Sequence, residues 1–479
     1  MIEALNRDRH EIERFLATPL AKHLASLSSA DWDTDLVDYA SRTLAYVEFL
    51  RDRGLTPSDL RDRNPEATAK PNYINRYPLV DRCLDGDLSK AYFMAVSSGT
   101  TGKAAIWPRS EADEIRSSFA VEQIFVESFQ ADTRRTLALV CFPLGIWIGG
   151  MYTASVARML SAKGYPVTTL TPGTNMGEIR RCLSEVAPQF DQTILCGYPP
   201  FLRDVVDELV PNEIDPALIR MKMLLAGEPI SESWRDDLCR KLAADNPLTD
   251  VISMYGTADA GIVGFETEHT IRMRRRLSGS PELSQAAFST SGLPSIFQYQ
   301  PYKLHVEENA GHVLLTVQSM HPLFRYSIGD SGTGMTYADL SSRIDGQAEA
   351  GLPVVVLHGR TDHTVSFFGG NIYPEHVSAL MDHSDWRSEI TGRFTMLVQH
   401  SAEGNRPLTV VVELQPGAEA SHLLANRLAE ALEAHLLAVN SEYANYVPKR
   451  YQRPEIVCRP HRDEEFFARG KKQVYVKRD

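Results

Sequence analysis

SSGTTGK, residues 97–103, is the stretch on which the reading of this chain turns. Its consecutive small residues leave backbone N–H groups accessible, and the hydroxyls of Ser98, Thr100 and Thr101 can donate. Gly99 and Gly102 allow close approach, and Lys103 adds a mobile charge. Those are the properties of a loop that holds phosphate, although an isolated loop of this kind is also an ordinary surface turn. A Walker loop needs four residues between its first glycine and the Gly-Lys pair, followed by Ser or Thr. Here two residues separate Gly99 from Gly102 and Ala104 follows the lysine, so the spacing argues against a Walker NTPase.

Outward from this loop the apolar pattern changes three times. Before it, IERFLATPLAKHLASL (12–27) and LVDYASRTLAYVEFLRDRGL (36–55) carry apolar residues at helical spacing. From about 90 to 270, the short runs VCFPL, VTTL, TILCG, MKMLLAG and VISMYG alternate with amphipathic stretches, which predicts a mostly parallel sheet covered by helices. Between about 300 and 358 the texture is one of short alternating strands. There KLHVEENAGHVLLTVQ (303–318) predicts a hairpin turning at residues 308–311, within an antiparallel or barrel-like part. Beyond GRTDH (359–363) come two strands, FTMLVQH and LTVVVEL, a Leu/Ala helix over about 420–439, and a basic tail. The fold expected is therefore α/β. A large N-terminal domain spans 1–360 and a small α+β C-terminal domain spans 361–479, with no internal repeat.

At 479 residues the chain is too long for one ordinary core. Hydrophobic content of 43% and charged content of 23% are those of a globular protein. The net charge of -12 argues against a nucleic-acid surface, which needs clustered positive charge. Residues 449–479 depart from that balance, with ten Lys or Arg against five Asp or Glu. Cysteines 83, 141, 182, 196, 239 and 458 form no CxxC pair, so zinc and disulfide scaffolds are not indicated. Reduced thiols and a charged start without a secretion signal point to the cytoplasm. TLALVCFPLGIWIGGMYTASVA (136–157) lacks charge, but Pro143, Gly145, Gly149 and Gly150 break it, predicting a buried strand, a turn and a buried helix rather than a membrane span.

The loop has company: SSGTTGK, AGEP (226–229), MYGTADAG (254–261), FRYSIGD (324–330), GRTDH and RGKK (469–472) follow in order. This ordered set resembles the adenylate-forming superfamily of acyl-CoA synthetases, adenylation domains and luciferases, over about residues 90–479. GYPPF (197–201), YGTADAG, PLFRYSIGD and GGNIYPEHV most resemble its phenylacetate-CoA ligase-like branch.

The resemblance implies a role for each matched residue. Ser98, Gly99, Thr100, Thr101, Gly102 and Lys103 would hold the β- and γ-phosphates of ATP. Gly227, Glu228 and Pro229 would form one wall of the adenine slot, and Tyr255, with Gly256 beside it, the other. Thr257 would contact the α-phosphate, Asp259 would ligate Mg2+, Asp330 would take both ribose hydroxyls, and Arg360 would lie near ribose and phosphate. Asp259 is shorter than the usual glutamate but can still ligate a hard cation. Asp362 matches the hinge about which the small domain alternates, with His363 where a second acid is common. Lys471 matches the tail lysine of the first half-reaction, and Lys472 beside it is the competing candidate. Phe142, Trp147, Tyr198, Met254 and Ile262 would line the acid pocket, whose aromatic walls suit an aryl or arylacetic acid.

The implied activity is ATP- and Mg2+-dependent conversion of a small-molecule carboxylic acid to acyl-AMP, followed by transfer to coenzyme A. An acyl carrier protein or an amine is an alternative acceptor, and a nucleotide-binding homologue without catalysis is the alternative from another class. The amphipathic N-terminal helix offers a homodimer face, or packs on its own domain.

Overall fold

In the computed structural model the described residues are 2–27, 32–97, 105–210, 213–288, 293–360, 365–381, 383–386, 388–398, 405–467 and 474–478. They form two compact units. The first gathers residues 1–97, 106–197 and 209–359, and the second centres on 198–208 and 360–479.

The first unit opens with four helices, Ile2–Ala17, Leu20–Ser26, Trp32–Ser41 and Leu44–Arg51. Their apolar spacing is used inside the unit. His23 stacks on Phe119 with ring centroids 3.7 Å apart, and Arg14 donates to the Tyr302 hydroxyl at 2.8 Å. Strand β1 is Thr68–Ala69. β2 (Phe93–Ser97) and β3 (Ala105–Arg109) form a two-stranded sheet on either side of residues 98–104.

The central sheet begins with β4 (Thr136–Val140), β5 (Val167–Leu170), β6 (Gln192–Gly197), β7 (Met221–Ala226) and β8 (Val251–Thr257). These five lie parallel in the order β5-β4-β6-β7-β8. Every residue of β4, β6 and β7 is buried, as expected of parallel strands covered on both faces. β9 (Gly261–Phe265) turns back antiparallel on β8, and β10 (Ser295–Gln298), β11 (Leu304–Asn309), β12 (His312–Val317), β13 (Leu323–Met335) and β14 (Val354–Arg360) continue the same sheet. The antiparallel part is therefore joined to the parallel part through β9, β10 and β14. Asn309 pairs with His312, so the predicted hairpin turns on Ala310 and Gly311, at φ 52° and 81°. Two central residues at positive φ make the tight turn whose twist suits a two-residue hairpin.

The uncharged stretch 136–157 resolves into β4, a turn and the helix Ile148–Ala162. Among the described residues no helix is long and apolar enough to cross a membrane.

The second unit contains a hairpin, β15 (Val365–Phe367) with β16 (Gly370–Ile372), and a four-stranded sheet. That sheet runs β19 (Glu455–Arg459), β18 (Thr409–Leu414), β17 (Ile390–Val398), β20 (Val476–Arg478). Its long helix, His422–Val439, is capped by Ser421 and buries Leu424, Leu428, Leu432 and Leu436, one per turn.

Candidate active site

In a parallel sheet the loops leaving the carboxyl ends of the strands converge on one edge, and a crevice opens where the strand order reverses. Here β4 leads outward to β5, and the chain returns to β6 on the other side of β4. Phe142 follows β4, Gly227 to Pro229 follow β7, and Tyr255, Gly256 and Thr257 end β8. Residues called from separate motifs are thus gathered at one edge by topology alone.

Tyr255 and Asp330 are brought into direct contact. The Tyr255 hydroxyl donates to the Asp330 carboxylate across 75 positions of sequence, from β8 to β13. The Tyr255 ring stacks on Phe297 of β10, centroids 5.7 Å apart and planes 25° apart. Asp330 is only 6% exposed. Gly227, at φ 91°, makes the turn out of β7, and Ala226 pairs with Met254, so 227–229 begins beside Tyr255. Arg274 anchors the far end of that turn by donating to the Ile230 carbonyl at 2.5 Å.

Thr257 Oγ1 accepts the Ala260 N–H at 2.8 Å, closing the turn between β8 and β9. Asp259 sits in this turn, nine-tenths buried, and one of its carboxylate oxygens accepts the Tyr326 hydroxyl at 2.7 Å. Two buried arginines lie behind the same turn. Arg109, the last residue of β3, donates through Nη2 to the carbonyls of Ala258 and Asp259, both at 2.7 Å. Arg116, on the helix Glu111–Gln123, donates to the carbonyls of Ala260 at 2.6 Å and Ile262 at 3.2 Å. That helix starts in a capping box in which the Ser110 N–H donates to Asp113 at 2.8 Å.

The phosphate-loop residues Ser98, Gly99, Thr100, Thr101, Gly102 and Lys103 lie outside the described residues, as do Asp362, His363, Lys471 and Lys472. The flanks of the loop are described: the buried Trp107 indole of β3 donates to the Ser97 hydroxyl of β2 at 2.9 Å, tying its base. Arg360 ends β14. Tyr475 and Val474, just after the tail lysines, are fixed to β17: the Met396 N–H donates to the Tyr475 carbonyl at 2.8 Å and the Thr395 hydroxyl to that of Val474 at 2.7 Å.

On the acid side, Phe142, Trp147, Met254 and Ile262 are all buried in the first unit, and Trp147 bridges to Val96 in parallel. Tyr198 packs in the second unit with its ring 5.4 Å from that of Tyr446. Gly369, at φ 81°, is pressed so closely on Tyr198 that a Cβ there would lie 2.3 Å from the ring. All six cysteines are free, and burial pushes the Cys196 thiol up to about 12 and that of Cys141 well above its ordinary value, which leaves neither as a ready nucleophile.

Arg109, Arg116, Phe297 and Tyr326 were not singled out from the sequence. Tyr326 stands inside FRYSIGD and was legible there; the others gain their meaning only from the pairing of distant strands.

No known family model matches the chain, and no curated protein matches it in sequence. Solved structures do match. A 2-hydroxyisobutyryl-CoA ligase holding 2-HIB-AMP and CoA in its thioesterification state is 14% identical over 98% of this chain and 92% of that one, with a TM-score of 0.64. The same ligase in an open conformation with the same two ligands is 14% identical over 96% and 93%, at 0.52. In its postadenylation state with R3-HIB-AMP it is 13% identical over 98% and 92%, at 0.51. At this identity the likeness is one of fold, and it takes in the helical segment before residue 90 as well as the motif-bearing part.

Proposed function

We propose that this chain activates a small carboxylic acid with ATP and passes the acyl group to coenzyme A. The observation that carries the reading is the contact of Tyr255 with Asp330 beside the 227–229 turn. The three elements that the motif resemblance assigns to adenine and ribose meet at the carboxyl edge of the sheet, from positions far apart in sequence. Fold likeness to a ligase that holds an acyl-adenylate and CoA supports the same reading.

In the first step an oxygen of the acid attacks the α-phosphorus of ATP, the bond to the β-phosphate oxygen breaks, and pyrophosphate leaves. Negative charge gathers on the α-phosphate, so the step needs donors already aimed at it. Thr257 fits this need: its oxygen already accepts the Ala260 N–H, which leaves its own proton to donate to a phosphate oxygen. Tyr255 and the 227–229 turn hold the base, and Asp330 takes the ribose hydroxyls. Ser98, Gly99, Thr100, Thr101, Gly102 and Lys103 hold the departing phosphates, while Arg360 and Lys471 supply positive charge. In the second step the CoA sulfur attacks the acyl carbon and AMP leaves, with Asp362 as the hinge between the two.

Asp259 suits Mg2+. It is a hard, buried anionic donor oriented by Tyr326, and a cation that arrives with a triphosphate needs only one or two protein carboxylates. Such an ion would neutralise phosphate charge. Phe142, Trp147, Met254 and Ile262, with Tyr198, favour an aryl or arylacetic acid, as in the phenylacetate-CoA ligase-like branch.

A panel of aromatic, arylacetic and short aliphatic acids, each incubated with ATP, Mg2+ and CoA and no other protein, tests both substrate and acceptor. The expected result is an acyl-CoA with at least one aryl acid. Acyl-AMP without thioester would redirect the second step to a carrier protein or an amine.

A further inference from the structure

Arg109 and Arg116 are 1% and 5% exposed, and neither has a carboxylate within ion-pair distance among the described residues. Burying a guanidinium without such a partner is costly unless its N–H groups are otherwise used. Here the terminal N–H groups are used on backbone carbonyls, those of Ala258, Asp259 and Ala260 in the turn and of Ile262 at the start of β9, with a longer bond from Arg109 Nη1 to the Pro108 carbonyl at 3.3 Å, while the Nε of each has no partner among the described residues. Asp113, one turn before Arg116 on the same helix, has its carboxylate already accepting the N–H groups of Ser110 at 2.8 Å and Met320 at 3.2 Å. Gly261, which opens β9 directly after the turn, stands at φ 75°, and a Cβ there would lie 3.1 Å from Arg116 Nη2, so the chain is shaped there for the guanidinium to reach the turn.

We propose that Arg109, seconded by Arg116, is a positioning residue for the activation step: it fixes the turn from which Thr257 and Asp259 act and places positive charge behind it. The inference rests on the proposed acid activation. Loss of the two Arg109 bonds frees the turn to shift, and a displacement of about 1 Å in a reacting geometry costs on the order of 100-fold in rate.

The experiment compares wild type, Arg109→Met and Arg109→Lys in acid-dependent pyrophosphate exchange into ATP, in calorimetric binding of Mg·ATP, and in thermal unfolding. In Arg109→Met, kcat for exchange is expected to fall on the order of 100-fold. The Mg2+ needed for half-maximal exchange and for ATP binding should rise, with KM for the acid unchanged. Arg109→Lys, whose ammonium can serve both carbonyls, should recover most of the loss. Wild-type kcat and Mg·ATP affinity in Arg109→Met would overturn the inference. So would a loss that follows the unfolding temperature and is not recovered by lysine. If wild type exchanges with no acid, the activation reading itself has failed. Mg·ATP binding then still decides the turn: a selective loss in Arg109→Met supports the positioning role, and equal affinity in all three proteins overturns it.

Discussion

Tyr255 and Asp330 illustrate how much rests on single side chains. The phenol donates to the carboxylate while its ring stacks on Phe297, so one residue both offers a flat face and orients its acidic neighbour. Removing the carboxylate should hurt more than removing the hydroxyl, because a ribose would lose two charge-assisted hydrogen bonds rather than one bond of orientation. Asp330→Ala is expected to weaken ATP binding by about 10- to 100-fold, and Tyr255→Phe by less than about 10-fold, in calorimetric titrations. Equal losses would contradict the division of labour. Both residues were legible in sequence because each sits in a short motif whose side-chain chemistry is informative by itself. Arg109 and Phe297 were not legible, since an arginine after a strand or a phenylalanine within one acquires its partner only when β3, β8 and β10 are folded.

Among the elements, the uncharged stretch 136–157 was legible as strand, turn and helix, because one proline and three glycines, Pro143, Gly145, Gly149 and Gly150, fall inside what would otherwise be one apolar segment. The sequence could not supply the reason the turn is so tight. Gly150, in the first turn of the helix Ile148–Ala162, packs against the chain just after β4: a Cβ there would lie 2.3 Å from the Pro143 carbonyl oxygen. Gly150→Ala should therefore destabilise the protein by about 1–3 kcal/mol or more, measured as a lowered unfolding temperature, and an unchanged midpoint would refute the close approach. The hairpin after β11 is a milder case. Asn309 and Gly311 marked the turn, but which residues take positive φ depends on the register of β11 on β12, and the turn falls on Ala310 and Gly311.

For the molecule as a whole, stability should fall as the pH drops below about 6.5. His23, against Phe119 and Gln300, is held down to about 4 by burial, below its ordinary 6.5. His321, fully buried, is driven well down by burial and by Arg82, whose Nη1 lies 2.9 Å from its Nε2. Both imidazoles are neutral when folded and protonate more readily when unfolded, so the unfolded state binds more protons as pH drops. Their contribution is complete above about pH 6.5 and is lost progressively towards pH 4. Urea titrations at pH 7.5, 6 and 5 should give falling stability, and His23→Gln should flatten part of that fall; a flat profile in wild type would contradict it. The change of apolar texture near residue 360 is where the second compact unit takes up the chain for good. That 198–208 groups with this unit was not legible in sequence, because only three-dimensional packing, such as Tyr198 on Tyr446, reveals it.

The central claim is that this chain makes an acyl-adenylate, and pyrophosphate exchange into ATP measures that step alone. Wild type is expected to exchange in the presence of an aryl acid and not in its absence. Lys471→Ala should lower the rate on the order of 100-fold while still converting supplied acyl-adenylate and CoA to thioester. Absence of exchange with every acid tried, or exchange in Lys471→Ala at the wild-type rate, would contradict the account.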